Sequence, residues 1–289
     1  MQVAIIGAGP RGLAVAERLI NLADDDTQID VQIYDPYAIG GRVWDPAISQ
    51  NEQFLMNTVI DQITLFNDES IENGGTPYPG PTMIQWLKQE ASAFLASHSE
   101  FTEHYSIEAS RLTKPDDFSS RGMMGVYAAW FFEWLTRRVR PNQTLNFTKQ
   151  SVINIVKIGT MFQLELADGA QILADHVVMV LGHSDDHLTE EETAFKAFAA
   201  QHHLKYVTPT HPSEADLSGF HENDTVIMRG LGLSFFDYVA ALSLGKGGKF
   251  KRDGTGELVY EPSGHEPHVI AGSRGGFPLH ARGVNEKLS

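Results

Sequence analysis

The 289-residue chain contains no cysteine, few basic residues and no long apolar run. Without cysteine it has no disulfides, thiolate nucleophiles or cysteine-bound metals, and it lacks the dithiol of a disulfide-reductase flavoenzyme. Its 22 basic residues against 37 acidic ones give a net charge of −15, which argues against nucleic acid or an anionic membrane surface as the main partner. No apolar stretch approaches the ~18 residues of a membrane-spanning helix, and no signal peptide is recognisable before the first strand, so we expect a cytoplasmic protein.

The amino terminus carries a pattern of strand, glycine turn, helix, strand and acid. An apolar run at residues 3–6 leads into Gly7-Ala8-Gly9-Pro10-Arg11-Gly12, and the spacing of apolar residues then predicts a helix over 10–23. A second strand, at residues 31–34, ends at Asp35. This order predicts a dinucleotide-binding site, because a glycine turn in an unrelated α/β fold would not account for the acid.

Each residue type in this pattern has a physical task. Gly7 permits the tight turn, Gly9 lets the main chain approach a pyrophosphate, and Gly12 lets the helix pack against its strand. The helix begins at Pro10, whose missing N–H costs nothing in the first turn. The helix N-terminus offers free N–H groups and the positive end of its dipole to phosphates. Asp35 is placed to accept hydrogen bonds from a ribose diol.

The middle of the chain predicts further elements of the same domain. Residues 36–81 contain glycine pairs and several prolines, and we expect an irregular segment. Loops of this length often bind a ligand or are partly ordered by one. Helices are predicted over 82–98 and 125–139. The second has aromatic side chains on nearly all of its faces, which favours a buried helix over a substrate-binding surface. An antiparallel meander that feeds a buried final strand is predicted from short strands at 144–147, 152–158, 161–166, 172–173 and 177–181.

A second strand–turn–helix pattern lies near the carboxyl end. Gly230 and Gly232 form a second glycine turn, and a cation, Arg274, follows the last predicted strand. Around them we predict a strand at 225–228, a helix over 235–244, a hairpin about Asp253-Gly254 and a strand at 268–271. The hairpin carries a basic cluster that is either a solvated face or a patch attracting a phosphorylated cofactor: Lys246, Lys249, Lys251 and Arg252.

These elements together predict an α/β protein of two domains. We expect a Rossmann-like domain over 1–190 and a smaller, incomplete Rossmann-like domain over 205–289. His183 and His187 stand four residues apart, but no third ligand with supporting spacing accompanies them, so no metal site is predicted.

Several segments resemble flavoproteins with two dinucleotide-binding domains. The spacing from Asp35 to Gly40-Gly41-Arg42-Val43-Trp44 is similar to that of flavin monooxygenases. Val180-Leu181-Gly182-His183 resembles the segment that joins their flavin and pyridine-nucleotide domains. The stretches at 54–57, 228–237 and 262–276 are similar to a broad bacterial family of FAD/NAD(P)-binding proteins. The resemblance covers essentially the whole chain. In those flavoproteins a further segment completes the second domain and returns to the first, and no such segment is recognisable here, so the resemblance implies that the second domain is incomplete.

The resemblance implies that the first domain binds FAD. The turn residues would hold the FAD pyrophosphate, Asp35 would hold the adenosine ribose, and Asn57 would lie near the flavin edge. Further cofactor-binding residues implied in this domain are Gly7, Gly9, Pro10, Arg11, Gly12, Gly41, Arg42, Trp44 and Gly182.

The resemblance also implies that the second domain binds NADPH or NADH. Gly230, Gly232 and Ser234 would receive its pyrophosphate, and Arg274 would meet its adenosine end. Residue chemistry agrees, because a guanidinium suits a 2′-phosphate while Asp35 would repel one. We therefore favour NADPH for the second site and FAD or NAD for the first. The alternative for Arg274 is a surface residue beside a glycine loop, and Phe235 stands where a third glycine would fall.

The predicted function is an FAD-dependent oxidoreductase that accepts hydride from NAD(P)H, with a monooxygenase as one form of it. The cofactor carries such chemistry, so no catalytic side chain is assigned. Two alternatives stay open. One is a flavin- or nucleotide-binding protein without turnover, such as a redox sensor or a partner subunit. The other is an enzyme that binds NAD alone at the first site. No residue pattern selects a substrate.

Overall fold

The computed structural model describes residues 1–101, 103–182 and 187–278. The chain divides into two compact units, of which the first contains 1–52 and the described residues from 56 to 182. The second unit contains 53–55 and the described residues from 187 onward. Both units combine parallel strands with helices, which confirms the predicted α/β class. Within the described part of the chain, no helix is both long and apolar enough to cross a membrane.

A four-stranded parallel sheet lies at the centre of the first unit. Its strands are β1 (Gln2–Ile6), β2 (Ile29–Tyr34), β3 (Gln143–Thr148) and β7 (His176–Met179). They are ordered β3-β2-β1-β7, and β1 pairs in parallel with both β2 and β7. β1 is a nearly continuous apolar run, as expected for a parallel strand that is covered on both faces.

Different elements cover the two faces of this sheet. Helix α1 (Pro10–Leu22) begins at the predicted residue and buries Leu13, Ala16 and Ile20 in the larger core. Three antiparallel strands form the predicted meander, namely β4 (Val152–Ile158), β5 (Met161–Leu166) and β6 (Gln171–Ala174). They pack Leu164 and Leu166 against Ala4, Ile6 and Tyr34 of the sheet.

Two strand predictions need correction. β3 was expected to open the meander, but it pairs in parallel with β2 along its whole length. The final strand was expected to be buried over 177–181, but it ends at Met179, and the side chain of Met179 is 64% exposed. β7 lies at the edge of this sheet and pairs with β1 on one side. Its side chains are therefore less covered than those of an inner strand.

The helices of the first unit follow the sequence prediction less closely. The helix predicted over 82–98 is two helices, α2 (Met83–Gln89) and α3 (Ala91–Ser97), which meet at Glu90. Glu90 leaves helical geometry at φ −128° and ψ −24° although neither proline nor glycine stands there. Helix α4 (Glu103–Arg111) was not predicted. Helix α5 (Arg121–Thr136) begins four residues before the predicted one, and its aromatic residues are mostly buried, as expected.

The second unit contains the predicted second strand–turn–helix pattern. Its elements are α6 (Glu190–Gln201), β8 (Thr225–Arg229), α7 (Leu233–Ser243), β9 (Lys249–Arg252), β10 (Leu258–Glu261) and β11 (His268–Gly272). β8 and β11 pair in parallel, and β9 and β10 form the predicted antiparallel hairpin. Phe54 lies fully buried in this unit's core, against Leu217 and Leu242 among others.

Candidate dinucleotide site

The first glycine turn connects β1 to α1 in a conformation that its own packing requires. Gly7 has φ +116°, which L side chains rarely adopt, and its N–H donates to the carbonyl of Tyr34 at 2.8 Å. A Cβ on Gly12 would lie 2.0 Å from the carbonyl oxygen of Gly7. Glycine at these two positions is therefore explained by the fold alone, through the turn and the close packing of helix on strand.

Gly9 differs from its two neighbours in the motif. It is the N-cap of α1 with φ −68°, and a Cβ there would meet its nearest atom, the carbonyl oxygen of Gly40, at an ordinary 3.6 Å. Neither conformation nor packing thus requires glycine. No side chain caps the helix, and no acidic residue occupies its first turn. An uncapped helix N-terminus beside an open glycine fits a phosphate group.

Asp35 lies at the end of β2, next to this turn. Its Oδ2 accepts a hydrogen bond from the N–H of Ala8 and its Oδ1 one from the N–H of Tyr37, both at 2.8 Å. Burial raises the pKa of the Asp35 carboxyl, and this outweighs the lowering by those two N–H groups; Asp45 adds to the rise and Arg42 opposes it. Two accepted bonds leave lone pairs on the carboxylate, which suits a ribose diol.

A loop that we call the cradle loop, residues 38–46, lies against the turn. Its Gly40 N–H donates to the carbonyl of Ala8 at 2.9 Å. Gly41 has φ +75°, and a Cβ there would lie 3.4 Å from the backbone nitrogen of Gly9 and 3.6 Å from Oδ2 of Asp35. The structure therefore brings Gly41 together with Gly9 and Asp35.

The other predicted residues of the first unit belong to the start of α1, to the cradle loop or to the exposed surface. The Arg42 guanidinium lies 5.7 Å from the ring centre of Tyr37, and Trp44 is half-buried in the cradle loop. Pro10 is half-buried and Arg11 is exposed at the start of α1. Two more predicted residues are exposed, Asn57 and Gly182, the latter with φ +71°.

The second glycine turn is built like the first. Gly230 follows β8 with φ +125°, and its N–H donates to the carbonyl of Gly272 at the end of β11. Gly232 is the N-cap of α7, again without a capping side chain or an acid in the first turn. A Cβ on Gly230 or on Gly232 would meet no atom of the described residues within 4 Å. Because β8 and β11 are parallel, Arg274 follows the same edge of the sheet as this turn.

A profile of the FAD-NAD(P)-binding family matches residues 4–184. The chain belongs to this family. It is 38% identical over 302 residues to an L-aspartate N-monooxygenase (nitrosuccinate-forming) of Streptomyces davaonensis, which covers 99% of this chain and 45% of the relative. An L-aspartate N-monooxygenase of Streptomyces cremeus is 36% identical and a nitrosuccinic acid synthase of Aspergillus oryzae 34%, covering 44% and 42% of their lengths and again 99% of this chain. The chain thus spans less than half the length of these relatives.

Membership of the FAD-NAD(P)-binding family confirms the predicted resemblance and its cofactor classes, FAD and NAD(P). The individual roles of the predicted residues stay predictions. His183 lies outside the described residues, and the described ones include no group of three metal-binding side chains. In the basic cluster, Lys251 pairs with Glu261 at 2.5 Å across the hairpin, as on a solvated face.

In this member of the FAD-NAD(P)-binding family, two residues important for the cradle loop were missed by sequence reasoning. Asp45 is buried and accepts hydrogen bonds from the N–H groups of Ala47 at 2.9 Å and Ala38 at 3.4 Å. The Asp45-Pro46 pair is a turn signal that could have indicated it. Gly125 of α5 contacts the same loop, and no local pattern marks it as more than a helical glycine.

Proposed function

We propose that the chain is the cofactor-binding part of an FAD- and NAD(P)H-dependent N-monooxygenase. The observation that carries the proposal is the first turn, where Gly9 and an uncapped α1 stand beside the Asp35 carboxylate. A pyrophosphate on the helix N-terminus and a ribose on the acid account for all three.

The residues of the first unit fit FAD. Gly9 and the N–H groups that open α1 would hold the pyrophosphate, and the cradle loop would approach it through Gly41. Asp35 would orient the adenosine ribose, since its carboxylate has acceptor capacity left. When bound, the flavin supplies hydride acceptance and oxygen activation, while the protein supplies orientation and electrostatics.

The second unit fits NAD(P)H by the same physical argument. Gly230, Gly232 and Ser234 stand where a pyrophosphate would meet the N-terminus of α7. Arg274 is exposed beyond the parallel strand β11 and would pair with a 2′-phosphate. NADPH is therefore the preferred reductant.

The activities of the relatives suggest the substrate. Two are L-aspartate N-monooxygenases and the third forms nitrosuccinic acid. An amino acid with a carboxylate side chain, aspartate first, is the substrate class we propose, and its amine is the group to be oxidised.

Spectroscopy of the purified chain tests this function. We expect flavin absorption after reconstitution with FAD, bleaching by NADPH without oxygen, and aspartate-dependent NADPH oxidation in air. Flavin that NADPH does not bleach would indicate a nucleotide-binding protein without turnover. A chain that takes up no FAD would refute the proposal.

A further inference from the structure

Helix α5 contacts the cradle loop, which also lies against the glycine turn. A Cβ added to Gly125 would lie 1.9 Å from the carbonyl oxygen of Trp44 and 2.9 Å from Cδ of Pro46. A Cβ on Gly40 would in turn lie 3.3 Å from Cα of Gly125. Gly125 lies within a regular helix, so its glycine is needed for space, not for conformation. The backbone of the loop therefore rests directly on the backbone of the helix.

The loop has little freedom to absorb a displacement. Its Trp44 N–H donates to the carbonyl of Gly41 at 3.0 Å, and Asp45 bonds to main chain on both sides. Tyr105 of α4, fully buried, donates from its hydroxyl to the carbonyl of Pro46 at 2.9 Å. A change at α5 is therefore transmitted to Gly41 instead of being absorbed locally.

Gly41, in the same loop, lies beside Gly9 and Asp35. The Trp44 carbonyl would have to move by roughly 1 Å to accept a methyl group on α5, because contacts under 3.0 Å do not occur at real Cβ atoms. A movement of that size, passed along the loop to Gly41, would change the distance between Gly41 and Gly9.

We propose that Gly125 is a positioning residue for FAD, which sets the distance between the cradle loop and the first glycine turn. The inference rests on the proposed function, since it takes this turn as the pyrophosphate site. Gly125 does not touch the cofactor and acts through the loop.

Gly125→Ala tests the proposal by equilibrium binding of FAD to the apoprotein, followed by flavin fluorescence. We expect at least about tenfold weaker FAD binding, because a displaced Gly41 no longer fits against the pyrophosphate; tenfold corresponds to about 1.4 kcal/mol. NADPH binding, which we assign to the second unit, should be unchanged. That difference separates positioning from general destabilisation.

Two further variants serve as comparisons. Phe131→Leu changes a fully buried residue of the same helix that contacts Phe66 in the aromatic core, and it should lower apoprotein stability without weakening FAD binding tenfold. Tyr105→Phe removes the hydrogen bond to Pro46 without adding volume, and we expect about threefold to tenfold weaker FAD binding at the net strength of one hydrogen bond. If Gly125→Ala does not fold, Tyr105→Phe decides the question.

The outcomes separate the two proposals. A wild-type chain that binds no FAD refutes the proposed function and this inference with it. If the wild type binds FAD, and neither Gly125→Ala nor Tyr105→Phe binds it more weakly than Phe131→Leu does, only the inference is overturned. Equal loss of NADPH and FAD binding in Gly125→Ala also overturns it.

Discussion

Replacing Gly9 by aspartate should separate the stability of the fold from its affinity for FAD. Gly9 is an extended N-cap without a capping side chain, and its Cβ position is open. An aspartate caps a helix better than glycine by a few tenths of a kcal/mol, and its charge at the positive helix end adds about 0.3–1 kcal/mol. Repulsion from Asp35 offsets part of this gain. We therefore expect the melting temperature of the apoprotein to stay level or rise by about 2–4 °C.

The aspartate introduced at residue 9 should weaken FAD binding strongly. The introduced carboxylate accepts hydrogen bonds from the N–H groups that would hold the pyrophosphate. It also places a negative charge beside the negative pyrophosphate. At about 4 Å and an effective dielectric constant near 20, two unit charges repel by about 4 kcal/mol, which corresponds to nearly 1,000-fold weaker binding.

Asparagine at residue 9 is the matched control, because it caps a helix as well as aspartate and carries no charge. Calorimetric melting of the apoproteins and FAD titration of the wild type and both variants give the two quantities. The reasoning predicts that Gly9→Asn weakens FAD much less than Gly9→Asp. Equal affinities of the two variants, or unchanged affinity in Gly9→Asp, would refute an anionic group at this helix end.

The remaining predictions concern other parts of the chain. Gly9→Val should lose FAD while keeping the fold, and unaltered flavin content would mean that the phosphates lie elsewhere. Arg274→Ala should raise the Kd for NADPH about tenfold or more, the strength of a charge-assisted hydrogen bond, and leave that for NADH nearly unchanged; equal effects would remove the 2′-phosphate argument. Hydrogen bonds from the Ser263 N–H and the Tyr260 hydroxyl hold the pKa of Glu266 at about 2. Its ionised form therefore stabilises the loop between β10 and β11 fully above pH 4.5 and progressively less as the pH falls toward 2, so the melting-temperature difference between wild type and Glu266→Gln should vanish over that range. Leu13→Ala, at a fully buried residue of α1, should lower the free energy of unfolding by about 2–5 kcal/mol in chemical denaturation, and a loss below about 1 kcal/mol would contradict its packing.

Local sequence patterns predicted the structural elements well wherever the physical cause of an element is local. The β1–turn–α1 unit and the β9–β10 hairpin were found at nearly their true bounds, because glycine turns and Asp-Gly turns act over a few residues. The second strand–turn–helix unit was found for the same reason, although Phe235 replaces the third glycine.

Predictions failed where pairing or packing decides. The strand at 143–148 has no local feature that distinguishes parallel pairing with β2 from antiparallel pairing with β4. The break at Glu90 occurs without a helix-breaking residue, so no local feature of the sequence predicted it. Helix α4 is short and was not recognised, although its Tyr105 is fully buried.

The sequence by itself determined that a glycine turn, a helix N-terminus and an acid would meet at the carboxyl ends of β1 and β2. These groups follow one another within one strand–helix–strand unit, and parallel strands bring their ends together. Only the tertiary structure decided what holds the cradle loop against that turn. Gly125 and Tyr105 belong to helices far along the chain, and their contacts with Trp44 and Pro46 arise when the core packs.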